Sequence, residues 1–121
     1  MSGYPIVHIE IPAKDYVVAD KFYADAFGWK IDVDPNFNYH QFAPASGPGG
    51  GFVDANGKDN KVGEVILYIG VPDILAALKK IESAGGKTAT PKTEIPGMGW
   101  FALFTDPTGN RLGLFESMHA H

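Results

Sequence analysis

A shift of 58 residues lays one half of this chain on the other: Val7 falls on Val65, Ile11 on Ile69, Asp15 on Asp73, Ala19 on Ala77, Lys21 on Lys79, Ala26 on Ala84 and Gly28 on Gly86. Ungapped self-similarity of this kind marks a duplicated supersecondary unit. The unit reads as strand then helix. Val7, Ile9 and Ile11 alternate with His8 and Glu10, which gives a strand one apolar and one polar face. Asp15 is placed to cap a helix running to about Phe27, in which Val18, Phe22, Tyr23 and Ala26 recur at helical spacing and Gly28 is the stop. In the second half Val65, Leu67 and Ile69 alternate, Asp73 opens a helix and Gly85-Gly86 ends it.

After each helix the text becomes strand-like again. The segments are Trp29–Val33, Tyr39–Ala43 and about Gly51–Val53 in the first half, then Lys87–Thr90, Trp100–Phe104 and Arg111–Phe115 in the second. Each half is therefore predicted to be β-α-β-β-β. Pro107 pre-sets φ for a turn between the last two strands, and Gly109 can take the left-handed position that closes their hairpin. The Gly-, Pro-, Asn- and Asp-rich stretch from Pro44 to Gly63 is expected to join the halves as a mobile loop. The expected organisation is a single domain over 1–121, with module one at about 4–54, the loop at about 44–63 and module two at about 64–117.

A hydrophobic fraction of 45% and a charged fraction of 20% describe an ordinary globular chain. The formal charge of −4, with no Lys/Arg cluster, argues against nucleic acid or an anionic membrane as a partner. There is no apolar run of about 18 residues to span a bilayer, and the first residues lack a signal-peptide pattern, so the expected location is cytoplasmic. With no cysteine, disulfides and thiolate chemistry are excluded, and any metal would need His, Asp or Glu ligands.

Two β-α-β-β-β units combined with "HIEIP" at His8–Pro12, "FGW" at Phe27–Trp29, "PGMGWF" at Pro96–Phe101 and "DPTGNRLGL" at Asp106–Leu114 resemble the vicinal-oxygen-chelate superfamily. That superfamily takes in glyoxalase I, bleomycin-resistance proteins and extradiol dioxygenases. The resemblance implies an α+β fold of two tandem βαβββ modules whose strands form an open, cup-shaped β-barrel with the helices outside, in a homodimer. It also implies four metal-ligand positions, on the first and last strand of each module. Carried over, these fall on His8, on Ile66, on Gly113 and in the run Gly49-Gly50-Gly51. Only the histidine has a donor side chain, so neither a metal nor another cofactor is expected. Glu116 is a poor substitute, three residues beyond Gly113 and on the opposite strand face. The sequence is most similar to a metal-poor branch of the superfamily.

The expected function is binding of a small organic molecule in an aromatic-lined cup, with bleomycin-resistance-like sequestration as one use. Ile66, Tyr68, Trp100, Phe101, Gly113 and Phe115 are the candidate pocket residues, or else simple core filling. His8 and Glu10 are the candidate catalytic pair for an alternative, metal-free acid–base isomerase or lyase acting on a small carbonyl compound, or else a structural pair. A metal-dependent lyase or dioxygenase is a further alternative. Gly97–Phe101 reads as a hinged lid or as a strand entry, and His40 as a solvated or rim histidine. Gly47–Gly51 lacks the Lys-Ser/Thr and following helix of a phosphate loop. His119 and His121 form a terminal pair able to chelate adventitious metal.

Overall fold

The computed structural model describes residues 3–36, 38–58 and 60–118, so His119 and His121 lie outside the described residues. The elements run β1 (Ile6–Ala13), α1 (Tyr16–Phe27), β2 (Lys30–Asp34), β3 (Tyr39–Ala43) and β4 (Gly50–Asp54), then β5 (Ile66–Gly70), α2 (Ile74–Ser83), β6 (Lys87–Ile95), β7 (Gly99–Thr105) and β8 (Arg111–Ser117). This is an α+β chain of two βαβββ modules. It divides into two compact units, one of His8–Ile66 and one running from Leu67 onward together with the residues up to Val7.

In the first unit the strand order is β2-β3-β4-β1, with β4 parallel to β1 and the other pairs antiparallel. The Asp15 carboxylate accepts from the N–H groups of Val17 and Val18, satisfying two otherwise orphaned donors. Gly28 ends α1 in the left-handed region at φ 71°. Ile9 and Ile11 pack with buried Ala13, Phe42 and Phe52 against Tyr16, Ala19 and Tyr23 of α1. A run of rings stiffens this core, with Tyr23 stacked on Trp29 at 5.0 Å and Trp29 on Phe42 at 4.6 Å. Helical spacing alone suggested Val18 and Phe22 for the packed stripe, but they are 64% and 56% exposed. The inward stripe is Tyr16, Ala19 and Tyr23, which pack against the Phe42–Phe52 cluster, with the Tyr23 ring on Phe52.

The glycine run is used by β4. A Cβ on Gly50 would overlap the carbonyl of Ile9, so the bare backbone is what lets β4 lie against β1. The strand expected at about Gly51–Val53 is present as Gly50–Asp54, set between β3 and β1.

In the second unit the order is β5-β8-β7-β6, with β5 parallel to β8. Asp73 caps α2 through the N–H of Ala76. Ile74 and Leu78 of α2 are buried with Val71, Ala102, Phe104 and Leu114. Strand β6 runs on to Ile95, five residues past the sequence reading, carrying Pro91 inside it. A proline is tolerated there because β6 is the last strand of the order and its pairing with β7 slips between Thr88 and Thr90 and again between Thr90 and Thr93. The "PGMG" stretch is the turn of the β6–β7 hairpin. The Met98 N–H bonds the Ile95 carbonyl, and a Cβ on Gly99 would overlap the Glu116 carbonyl.

Candidate functional site

Alternation along β1 leaves His8 and Glu10 on the face turned away from Ile9, Ile11 and α1. Strand β3 adds Tyr39 and Gln41 to that face, because its neighbours Phe42 and His40 point the other way, toward the helix. Register places Gly51 between Glu10 and Gln41. With no side chain on Gly51, the Tyr39 ring lies across it, where a Cβ would overlap the ring carbon bearing the hydroxyl. The missing methyl thus has a local purpose. It lets a phenol from β3 reach the polar residues of β1.

The Tyr39 hydroxyl and the His8 Nε2 are 2.8 Å apart, and the Glu10 carboxylate lies 4.0 Å from the same nitrogen. Burial raises the pKa of the Tyr39 phenol, and the charge of Glu10 and a hydrogen bond to it add to the effect. Burial lowers the pKa of the His8 imidazole. A phenol held protonated donates its hydrogen to the carboxylate, and its oxygen then accepts the N–H of a neutral imidazole. The His8 and Glu10 side chains are 30% and 21% exposed, so the group is half-buried yet reachable. Tyr39 was not among the sequence candidates. Its signal lay in its position in β3, but a five-residue strand with polar and aromatic residues at adjacent positions does not reveal its inward face.

His40 is not a rim residue. It is buried, with Nδ1 2.6 Å from Asp20 Oδ2 of α1 and its ring centre 4.7 Å from that of Tyr16 at a tilt of 38°. It ties β3 to the helix, on the face opposite Tyr39.

The second unit repeats the glycine arrangement with a different tyrosine. Register sets Tyr68 beside Gly113, and a Cβ on Gly113 would overlap the Tyr68 ring. Phe115 shares the face of Gly113, and Phe101 pairs with Phe115 across β7 and β8. Ile66 and Tyr68, both buried, share a face of β5. Trp100 is on the other side of β7, packed against the α2 core with the Lys92 ammonium 4.6 Å from its ring centre. Five of the six pocket candidates therefore sit on strand faces turned away from their helix and Trp100 does not, because its pairing with Glu116 puts it on the α2 side.

The residues present do not fit a divalent metal. The closing strands offer Gly51 and Gly113, each with a tyrosine ring where a carboxylate would have to stand. Ile66 has no donor, and the described residues contain no group of three His, Cys, Asp or Glu able to hold an ion. Glu116 is committed elsewhere. Its carboxylate accepts from the Ile74 N–H at the start of α2 and lies 3.3 Å from the Lys92 ammonium.

Comparison with known proteins defines the class. The family model of the glyoxalase/bleomycin resistance protein/dioxygenase superfamily matches residues 5–114, and the chain belongs to that superfamily. A glyoxylase-like domain-containing protein of Didymella fabae is 34% identical over 110 residues, covering 84% of this chain and 85% of its own. CFP32 of Mycobacterium tuberculosis, a provisionally named glyoxylase, is 28% identical over 128 residues, covering 90% of this chain. The chain spans only 44% of that protein's length. Among solved structures, the hypothetical protein BH1468 of Bacillus halodurans matches with a TM-score of 0.74 at 12% identity, over 99% of both chains. A Streptomyces coelicolor methylmalonyl-CoA epimerase in complex with 2-nitronate-propionyl-CoA matches with a TM-score of 0.66 at 19% identity, over 97% of this chain and 99% of its own. At such identities these structures speak to the fold alone.

Proposed function

We propose that this protein is a metal-independent member of its superfamily that binds a small, uncharged organic molecule through a carbonyl or hydroxyl oxygen. The observation that carries this reading is the His8–Tyr39–Glu10 group on the sheet face away from α1. The phenol, kept protonated, can turn its O–H from the Glu10 carboxylate to the carbonyl oxygen of a ligand, and the adjacent carboxylate disfavours an anionic ligand. The glyoxylase names of its relatives agree with a small carbonyl ligand.

Methylglyoxal and dihydroxyacetone are suitable probes, titrated while backbone amide shifts are followed by NMR. The expected perturbations centre on His8, Glu10, Tyr39 and Gly51, with affinity falling about 5–10-fold in Tyr39→Phe for the loss of one hydrogen bond. Shifts confined to other residues, or affinity unchanged in Tyr39→Phe, would contradict the proposal.

A second reading is acid–base isomerisation, favoured by the contrast between a phenol kept protonated and an imidazole kept neutral beside a carboxylate. In it the Glu10 carboxylate takes a proton from the carbon next to the carbonyl. The C–H pair forms the new carbon–carbon double bond, the carbonyl π pair moves onto oxygen, and that oxygen takes the Tyr39 proton to give an enediol. Glu10 then returns its proton to the neighbouring carbon, the double-bond pair forming that C–H bond. The hydroxyl on the first carbon gives its proton to the Tyr39 phenolate and becomes the new carbonyl, which restores both groups. Incubating dihydroxyacetone with the protein in D2O should then give C–H exchange that Glu10→Gln abolishes. Exchange at the same rate in that variant removes Glu10 as the base.

A further inference from the structure

The duplication provides an internal control for the polar face of β1, β4 and β3. In the first module Glu10, Gly51 and Gln41 stand side by side across these three strands, and Tyr39 lies two residues before Gln41. In the second module the same register sets Tyr68, Gly113 and Leu103 side by side, and Phe101 lies two residues before Leu103. The 58-residue shift matches His8 with Ile66. The same strand plan is therefore built with Ile66, Tyr68, Phe101 and Leu103 in the places of His8, Glu10, Tyr39 and Gln41. Strand pairing does not call for the polar set. His8, Glu10 and Tyr39 form the hydrogen-bonded group of the candidate site, and Gln41 is the fourth polar member of the face.

Gln41 is half-buried, and no hydrogen bond joins its carboxamide to another described residue. It is the direct antiparallel partner of Gly51, so its α-carbon stands about 5 Å from that glycine. The Tyr39 phenol lies across Gly51. The carboxamide is thus rooted beside the phenol oxygen, on the side of Gly51 away from Glu10. On its other flank Gln41 pairs with Asp32 of β2, which is exposed on the same face. A carboxamide both donates and accepts, and a hydroxyl answers it with one group that does both. A methyl in that place would leave the carboxamide stripped of water and without a partner, which selects against it. A carboxylate is disfavoured there by Glu10 and Asp32 on either side.

We propose that Gln41 is a specificity-determining residue, selecting carbonyl ligands with a hydroxyl on the carbon next to the carbonyl, the α-hydroxycarbonyl class. The ligand's carbonyl oxygen meets the Tyr39 hydroxyl and its own hydroxyl meets the Gln41 carboxamide. This rests on the reading of the His8–Tyr39–Glu10 group as a carbonyl site. Hydroxyacetone and 2-butanone test it, because they differ only in hydroxyl against methyl on that carbon. Each is titrated into the whole chain while backbone amide shifts are followed by NMR. The wild type is expected to bind hydroxyacetone about 5–10-fold more tightly than 2-butanone, for one hydrogen-bonded group. Gln41→Leu, which installs the residue found at the matching place in the second module, should bring that ratio close to one. Tyr39→Phe should weaken both ketones. Equal affinities in the wild type, or an unchanged ratio in Gln41→Leu, would overturn the role of Gln41 and leave the carbonyl site standing. Binding of neither ketone at this face, or of both unchanged in Tyr39→Phe, would overturn the carbonyl site and the inference with it. The wild-type ratio needs no variant, so the test holds even where a replacement unfolds the chain.

Discussion

At the scale of single residues, the two glycines that matter are defined by the rings above them. Neither Gly51 nor Gly113 has a positive φ, so neither is present for backbone freedom. Each leaves a gap that a tyrosine of the same unit occupies, Tyr39 in one case and Tyr68 in the other. Gly113→Ala should therefore destabilise the fold by about 1–3 kcal/mol through overpacking. Adding Tyr68→Ala should make the double variant less unstable than the two single costs summed, as read from urea unfolding. Strictly additive costs would mean that the ring and the glycine are not coupled. The sequence identified Gly113 as the place where a carboxylate is missing, but not what replaces it, because the partner is a register neighbour on β5, more than forty residues away in the chain. Tyr39 was hidden for a related reason. Its hydroxyl meets His8 only after β3 and β4 have paired and the ring has crossed Gly51.

At the scale of elements, the caps and the final hairpin are local devices and were legible as such. Asp15 and Asp73 cap the helices their spacing predicted, and Asp15→Ala should cost about 1 kcal/mol in thermal or urea unfolding. In the β7–β8 turn the Asp106 carboxylate accepts from the N–H groups of Asn110 and Thr108 and from both of their side chains. These bonds, the backbone N–H of Asn110 first, hold its pKa down at about 2, below the usual 3.8. A depressed carboxylate stabilises the folded state above the unfolded pKa, and that contribution is lost as the pH falls from 3.8 toward 2. Asp106→Ala should accordingly flatten the acid dependence of stability in that window while lowering stability at pH 5, measured by urea titration at each pH. An unchanged acid slope would remove Asp106 from the account. Less local features were less readable. Trp100 was placed with the pocket because β7 is aromatic on both faces, and only its pairing with Glu116 in β8 assigns it to the α2 core. The inward stripe of α1 was misread because Val18 and Phe22 have the period of a buried face without being one.

At the scale of the whole chain, the duplicated βαβββ plan was written in the sequence and placed the protein in its superfamily, whose family model spans residues 5–114. No helix among the described residues is long and apolar enough to cross a membrane. In the sequence the candidate site was marked chiefly by what is missing, the Ile and Gly at the positions where the resemblance places metal donors. The structure adds a positive element, a hydrogen-bonded imidazole, phenol and carboxylate on one sheet face. The central claim is that this group works without a metal ion. Native mass spectrometry after equilibration with Zn2+, Ni2+ or Mn2+ and brief desalting tests it most directly. The account predicts no stoichiometric ion on the chain for any of the three. One ion retained per chain and lost in His8→Ala would contradict it.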